Sequence, residues 1–583
     1  MNSLSVSGKN WVLKKYSEEK TTFLKENFSL DEITSKLLSI RKINNDEVSS
    51  FLNPSIKNFL PNPYNLIDME KSTIRTSNAI YSKEKLGIFG DYDVDGATST
   101  ALLGNYFSEL NLKYETYIPD RKKDGYGPSI KSFKELIDKK VKIIFTVDCG
   151  TLSFEAINFA KDNKVDVIVL DHHQSEVKLP NAFSIVNPNR LDDKSNLQYL
   201  CAAGVSFMFL VSLNRELRNK NWFIENNIKE PNLIDFLDLV SLGTICDVVP
   251  LIGLNRAIVK QGLKVFKIKK NLGLKTLLDI CKIDSSPSTY HLGYLLGPRI
   301  NAGGRVGKCS HGANLLLNKD PKSSFKIASE LNQFNKERQM LEKDLLKKIL
   351  NKTEDTSKDP VLILSGENWH EGVIGIVASR LKDKFNKPVI LISLNGEIGK
   401  ASARSIVGFD IGSVIISATQ EKILIKGGGH KMAGGFSIQV KNINMFKDFV
   451  FKKFKGINQD LKSEKPLLLD SIIAPSAVNL EFYNKVALLS PFGSGNPEPK
   501  FIIENVKTMN GKIVGNKHVK SVLIGADGST IKSIAFNATE NDLCGYLIKK
   551  NNKSFNIAGK LSLNEWKGQS NVEFIIDDIS VNK

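Results

Sequence analysis

The sequence predicts a multidomain α/β protein: a doubly wound parallel sheet, a long connecting helix, a second α/β unit and a C-terminal β-barrel. Three patterns carry that expectation. Short apolar runs closed by acidic residues alternate with helical spacing between Lys85 and Asp171, the signature of βαβ units in a parallel sheet. From Pro321 to about Leu350 apolar residues recur three or four apart, as on one face of a long helix. After Leu461 the texture changes to short alternating strands separated by turns (PLLLDSII, FIIENV, SVLIG, NIAGKLSL, VEFIIDDI).

At 583 residues the chain exceeds what one core supports, and about three or four domains are expected. Residues 1–80 read as an N-terminal helical segment broken at Pro54, Pro61 and Pro63. Residues 81–265 form the sheet domain. Its first strand, Leu86–Phe89, ends at Gly90, and a helix runs from Ala97 to about Leu110. A strand near 113–118 and a helix over 129–140 follow. Then come a buried strand at Val141–Val147, a helix at 153–163 and a third strand at Val165–Leu170. Leu233–Leu242 is an apolar helix leading into Gly243-Thr244-Ile245-Cys246-Asp247. Residues 266–353 make a helical connector whose long helix, at 1.5 Å per residue, reaches roughly 45 Å and bridges two lobes. The polar stretch NKTEDTSKDP marks the next boundary. Residues 354–461 repeat the α/β pattern and carry the glycine-rich KGGGHKMAGGF. Residues 462–583 suit a small barrel of OB type.

The chemistry gathers at the strand ends. Asp91, Asp93 and Asp95 follow the first strand, and three carboxylates so close repel unless a cation neutralises them. An acidic surface turn is the plain alternative. A calcium loop is not, because the position that needs a bidentate Glu is Leu102 and a strand precedes the loop. Asp148 closes the second buried strand, and Asp171-His172-His173 close the third. Open α/β sheets place ligands at that carboxyl edge. Asp247 lies among Ile, Cys and Val, where an unpaired carboxylate is costly; it is a ligand or a helix cap.

The net charge of +18 favours a polyanionic partner, nucleic acid before anionic membrane, although a lysine-rich proteome gives the same figure. Six scattered cysteines without a CxxC pair fit a reducing cytoplasm and exclude a disulfide framework or zinc ribbon. The first residues lack the apolar core of a secretory signal, and no apolar stretch is long enough to span a membrane. A cytoplasmic protein is expected.

The motifs GDYDVDG, VDCG, DHH and GTICDVVP, in that order, resemble the DHH phosphoesterase superfamily. With YIPDRKKDGYG, GPRINAGGR, GGGHKMAGGF and SPFGSGNPEP the resemblance narrows to the RecJ family, bacterial exonucleases that degrade single-stranded DNA from 5′ to 3′, and covers nearly the whole chain. It implies a DHH catalytic domain, a DHHA1 domain and an OB domain. It also implies two ions, Mn²⁺ or Mg²⁺, with Asp91 and Asp93 as ligands, Asp148 shared, and His172 and Asp247 completing the second site. Asp171 and His173 would support the centre or the phosphate. Phe89 stands where many superfamily members carry a histidine ligand, which implies fewer protein ligands on one ion. The shared ions would activate a water for in-line attack on phosphorus and release 5′-mononucleotides.

Arg299, Asn301 and Arg305 in GPRINAGGR read as a glycine-rich loop that clamps phosphate, since a guanidinium forks onto its oxygens. The resemblance gives Arg121 the 5′-terminal phosphate and Tyr126 a base. It gives His430 and the backbone of Gly428 and Gly429 contacts to DNA beyond the scissile bond. In the barrel, Trp566 and Phe536 with Lys512, Lys517, Lys520 and Lys532 are candidates for stacking and phosphate contact. The expected partners are single-stranded DNA, a single-stranded-DNA-binding protein and a repair helicase, with the enzyme a monomer. Two other functions compete. One is a DHH–DHHA1 phosphodiesterase for short oligonucleotides or cyclic dinucleotides, against which the extra barrel argues. The other is a non-catalytic single-strand-binding scaffold, against which the retained carboxylates argue.

Overall fold

The computed structural model describes residues 5–121, 123–284, 286–351, 359–456, 466–548, 553–566 and 569–581. Its first sheet has five parallel strands in the order Tyr114–Tyr117, Leu86–Gly90, Ile143–Val147, Asp166–Leu170, Ser184–Val186. One face buries Ile88, Phe145, Val147 and Leu170 under the helices Val94–Glu109 and Ala202–Asn219. The other buries Phe89, Ile144, Val167 and Val169 under Ile130–Asp138 and Phe154–Asp162. Strands covered on both faces read as continuous apolar runs rather than alternating ones, which is how the sequence writes them. The strand Ser184–Val186 is too short to leave such a run.

Register sets the site. Gly90 pairs with Val147, Val147 with Leu170 and Leu170 with Val186, so the strands stop in line. The next residues, Asp91, Asp148, Asp171 and Asn187, leave the sheet side by side.

The long helix spans Pro321–Leu350, capped by Asp320, whose carboxylate accepts from the Ser323 amide at 2.7 Å. Ala328 and Leu331 pack with the connector, whereas Leu345 and Ile349 pack on the helix Glu371–Phe385 of the next unit. It bridges the lobes as its length predicts. That second unit carries a mixed sheet in the order Lys426–His430, Ala433–Gln439, Ile398–Arg404, Val389–Asn395, Leu362–Glu367. The C-terminal strands close a five-stranded barrel, because Phe501–Val514 pairs both with His518–Ile524 and with Phe555–Trp566.

The first 80 residues divide between two cores. Leu24, Leu37, Leu38 and Val48 share a core with Phe501, Val519 and Phe574 of the barrel. Met69 and Ile80, on the helix Met69–Tyr81, pack on the parallel sheet. The strand Trp11–Leu13 runs parallel to Leu467–Leu469. Among the described residues no helix is long and apolar enough to cross a membrane.

Candidate metal centre and substrate channel

The turn after the first strand is tight. A Cβ on Gly96 would lie 2.6 Å from the Asp91 carbonyl oxygen, so only glycine lets the helix start so close to the strand end. Asp93 caps that helix, accepting from the Gly96 amide at 3.0 Å. Asp95 lies inside the first turn and accepts from the amides of Ala202 at 2.6 Å and Ala203 at 3.0 Å. Asp148 holds a left-handed backbone, φ 61°, an uncommon conformation for a residue with a side chain. Asp247 caps the helix Leu237–Cys246.

These side chains form overlapping groups whose ligand atoms lie within 4.8 Å of one another: Asp91, Asp93 and Asp148; Asp95, His172 and Asp247; Asp148, His172 and His173. His172 links them, with Nε2 3.3 Å from Asp148 Oδ1 and Nδ1 3.7 Å from Asp247 Oδ2. Among the described residues Asp91 Oδ1 is buried without a hydrogen-bond partner, an arrangement that costs stability unless a cation meets it. Burial, then the neighbouring Asp93, pushes the Asp91 carboxyl up to about 8. Burial, then Asp95 and Asp93, pushes Asp247 up to about 8. Asp148 and Asp95 are raised by burial and by the same carboxylates. Oxygen donors with one or two imidazoles and this excess of negative charge fit Mn²⁺ or Mg²⁺.

Asp171 differs from its neighbours. Its Oδ1 accepts from the His172 amide at 2.7 Å, the His173 amide at 3.2 Å and His173 Nδ1 at 2.8 Å. Its Oδ2 accepts from the Thr151 amide and hydroxyl at 3.0 and 2.6 Å. Burial would raise this carboxyl, but these donors and the His173 charge hold it below the usual range. Burial would likewise lower His173, yet the bond to Asp171 outweighs it and lifts the imidazole to about 9. Asp171 therefore orients the His173 ring and pins the backbone of both histidines. Phe89 is buried against Tyr117 and Phe133, at centroid distances of 5.5 and 5.7 Å, and Asp91 is what its strand contributes to the first group.

Two cavities flank the cluster. One, of about 930 Å³, is lined by Tyr126, Thr151, Asp171, His173 and His430; there the Tyr126 hydroxyl lies 3.3 Å from His173 Nε2 and donates to the Asp148 carbonyl at 3.3 Å. The other, of about 560 Å³, is walled by all four units, including Cys246, Val248, Asn301, Arg305, Ile376 and Phe492. Arg305 is half-buried and its pKa is lowered to about 10, by desolvation first and then by Arg121, Arg338 and Arg404. These four arginines converge. Arg121 also lies over the Tyr92 ring at 5.7 Å.

One expected loop is a regular element. GPRINAGGR is the helix Gly297–Val306. Its glycines serve close packing rather than flexibility: a Cβ on Gly304 would lie 2.9 Å from the Tyr92 ring, and one on Gly297 2.4 Å from Cys246 Sγ. Arg299 turns away from the cavity, donating to Asn332 Oδ1 at 3.0 Å and the Leu295 carbonyl at 2.7 Å, while Asn301 and Arg305 line it. The glycine-rich motif of the second unit is the hairpin Lys426–His430 and Ala433–Gln439, with Gly428 and Gly429 on the edge strand. In the barrel, Phe536 is half exposed and packs edge-on to His518 at 5.2 Å. Lys512 and Lys520 sit opposite each other on the ladder, but Lys517 and Lys520 are paired with Glu540 and Glu573. The Trp566 side chain lies outside the described residues.

Sequence reasoning counted Asp95 among the three carboxylates that call for a cation but did not carry it into the ligand set, which holds Asp91, Asp93, Asp148, His172 and Asp247. It missed Arg404 and Arg338, whose approach to Arg305 joins segments distant in sequence.

Family profiles match the chain at residues 85–244 (DHH family, N-terminal domain), 358–456 (DHHA1 domain) and 469–578 (RecJ OB domain). The single-stranded-DNA-specific exonuclease RecJ of Haemophilus influenzae is 33% identical, covering 91% of this chain and 93% of that protein. RecJ of Bacillus subtilis is 30% identical, covering 98% and 71%. The crystal structure of RecJ in complex with Mn²⁺ from Thermus thermophilus superposes with a TM-score of 0.80 at 26% identity, over 98% of this chain and 80% of that one. The convergent carboxylates, the four units and this similarity lead to one conclusion: the chain belongs to the RecJ family of single-stranded-DNA-specific exonucleases.

Proposed function

We propose that the chain is a metal-dependent exonuclease that hydrolyses single-stranded DNA from its 5′ end to 5′-mononucleotides. The observation that carries this is the strand register, which delivers Asp91, Asp148 and Asp171 to one edge beside His172 and Asp247. Asp91, Asp93 and Asp148 would hold one ion, and Asp95, Asp148, His172 and Asp247 a second. Bound there, two Mn²⁺ or Mg²⁺ ions would lower the pKa of an attacking water and neutralise charge on the scissile phosphate. The chain does the rest. Asp171 fixes the ring of His173 and the backbone of His172, and His173 offers Nε2 toward the cavity where Tyr126 meets it. Arg121, Arg305 and Arg404 present guanidinium groups to the phosphates, Arg121 to the terminal one. The edge strand with Gly428, Gly429 and His430 faces the strand beyond the scissile bond. Burial of the cluster excludes bulk water and strengthens each of these contacts.

The same reading assigns the enzyme to DNA repair and recombination in the cytoplasm, as a monomer beside a single-stranded-DNA-binding protein and a repair helicase; its support is the family resemblance. The direct test supplies single- and double-stranded DNA, labelled at either end, with Mn²⁺, Mg²⁺ or EDTA. Metal-dependent release of labelled mononucleotide from the 5′ end of single strands alone is expected. Release first from the 3′ end, or activity unchanged in EDTA, overturns the assignment.

A further inference from the structure

The fifth strand of the parallel sheet ends without a carboxylate. Its next residue is Asn187, which leaves the sheet beside Asp171 and is followed by Pro188 and Asn189. Both asparagine side chains fold back onto the turn that carries the two histidines. Asn187 is fully buried, and its Nδ2 donates to the His173 carbonyl at 2.8 Å and to Thr151 Oγ1 at 2.9 Å. Asn189 Nδ2 donates to the His172 carbonyl at 2.5 Å. The Asn189 amide in turn donates to Asn187 Oδ1 at 2.8 Å. That bond fixes which end of the Asn187 side chain is oxygen, because a backbone N–H can only donate.

These contacts call for amides rather than the acids that follow three of the other strands. The Thr151 hydroxyl gives its proton to Asp171 Oδ2, so its oxygen is left to accept, as the two carbonyls must. An ionised carboxylate at 187 or 189 has no proton to offer them. The histidine turn is thus held from both sides: Asp171 takes its amides and the asparagines supply its carbonyls. Pro188 stiffens the link between them, since its ring fixes φ.

We infer that Asn187 and Asn189 are positioning residues for the metal centre, with the work divided between them. Asn189 sets the backbone of His172, and with it the imidazole that faces Asp148 and Asp247. Asn187 sets His173 twice, through its carbonyl and through the path from Thr151 to Asp171 to His173 Nδ1. This rests on the metal-dependent reading and adds the groups that hold its ligands in place. Partners of this kind carry about 10–100-fold in metal affinity or activity.

The test separates metal affinity from turnover in the full chain. Mn²⁺ binding is followed without substrate, by loss of the free ion's electron paramagnetic resonance signal. Asn189→Ala should weaken Mn²⁺ binding by roughly tenfold or more, while its melting temperature in EDTA falls by less than about 3 °C. Asn187→Ala should instead lower kcat on single strands at saturating Mn²⁺ by roughly tenfold or more, with a smaller change in Mn²⁺ affinity. Thr151→Val cuts the same path with little change of shape, and should reproduce that loss where Asn187→Ala does not fold. Ser175→Ala is the control: its hydroxyl donates to the Asn189 carbonyl at 3.1 Å, so Mn²⁺ binding should keep the wild-type value. Wild-type Mn²⁺ affinity in Asn189→Ala, or wild-type kcat in Thr151→Val, overturns the inference. So does an equal loss of Mn²⁺ affinity in Ser175→Ala and Asn189→Ala, which would reduce these bonds to loop packing. If the wild-type chain binds no Mn²⁺, the metal-dependent reading falls as well.

Discussion

Asp148 belongs to two of the three ligand groups and holds its backbone at φ 61°. Asp148→Asn keeps the size of the side chain and removes the charge that both ions would share. The substitution should cost several kcal/mol of transition-state stabilisation, on the order of a thousandfold in kcat. Affinity for single strands in EDTA should change little, since the arginines are untouched. Near-normal turnover would dismiss the shared-ligand assignment. The pH dependence of the metal-free protein has a definite sign. Asp91 and Asp247 are raised to about 8 and His173 to about 9. Between the ordinary carboxylate range and those values the folded state binds more protons than the unfolded one, so stability falls as pH rises. The melting temperature in EDTA should therefore drop between pH 5.5 and 8. Mn²⁺ should restore it more at pH 8 than at pH 5.5, because metal replaces protons on the ligands. An equal metal-induced rise at both values would contradict the buried-carboxylate account. Four of the five proposed ligand positions from the strand ends and their loops, Asp91, Asp93, Asp148 and His172, were legible because each follows an apolar run. Asp95 was visible as a third carboxylate but its placement was not, because it is set by the amides of Ala202 and Ala203, over a hundred residues away in the chain.

At the scale of elements, glycine is where local reading and structure part. Glycines in GPRINAGGR read as loop because they usually break helices. The helix forms here because Tyr92 and Cys246 press against it, and such contacts leave no local trace. The long helix shows the converse: Asp320 and Pro321 mark its start within the sequence itself, so its bounds could be read directly. The edge hairpin gives a paired prediction. A Cβ on Gly429 would meet the Ala433 carbonyl oxygen at 2.5 Å, while one on Gly428 meets nothing within 4 Å. Gly429→Ala should lower stability by about 1–3 kcal/mol. Gly428→Ala should leave the melting temperature unchanged and weaken single-strand affinity, since the new methyl group stands where a phosphate would approach. Unchanged affinity in Gly428→Ala would remove this strand from the substrate path.

For the whole molecule, the barrel is tied to both ends of the catalytic unit. The Arg256 side chain is buried and donates to the carbonyls of Phe51, Leu489, Ser490 and Pro491 at 2.8–3.2 Å, without a carboxylate among the described residues. Burial lowers its pKa to about 9. Removing residues 462–583 would strand this guanidinium and bare Leu24, Leu37, Leu38 and Val48. A two-lobe fragment should therefore bind a dye for exposed apolar surface and be cut early by protease within residues 5–52. A fragment as resistant as the full chain would show that the N-terminal helices hold on their own. The sequence shows the barrel's strands but not its partner, because apolar periodicity states that a face is buried and leaves open against what.

The parallel pairing of Trp11–Leu13 with Leu467–Leu469 also sets a schedule. Lys14 and Asp470, bonded at 3.0 Å, are 456 residues apart. A ribosome adding roughly 5–20 residues per second needs about 25–90 s to cover that interval. Until the barrel has been made, Leu24, Leu37, Leu38 and Val48 lack the surface they pack on, while the sheet between them in sequence completes its own core. Their burial is paced by synthesis of the barrel.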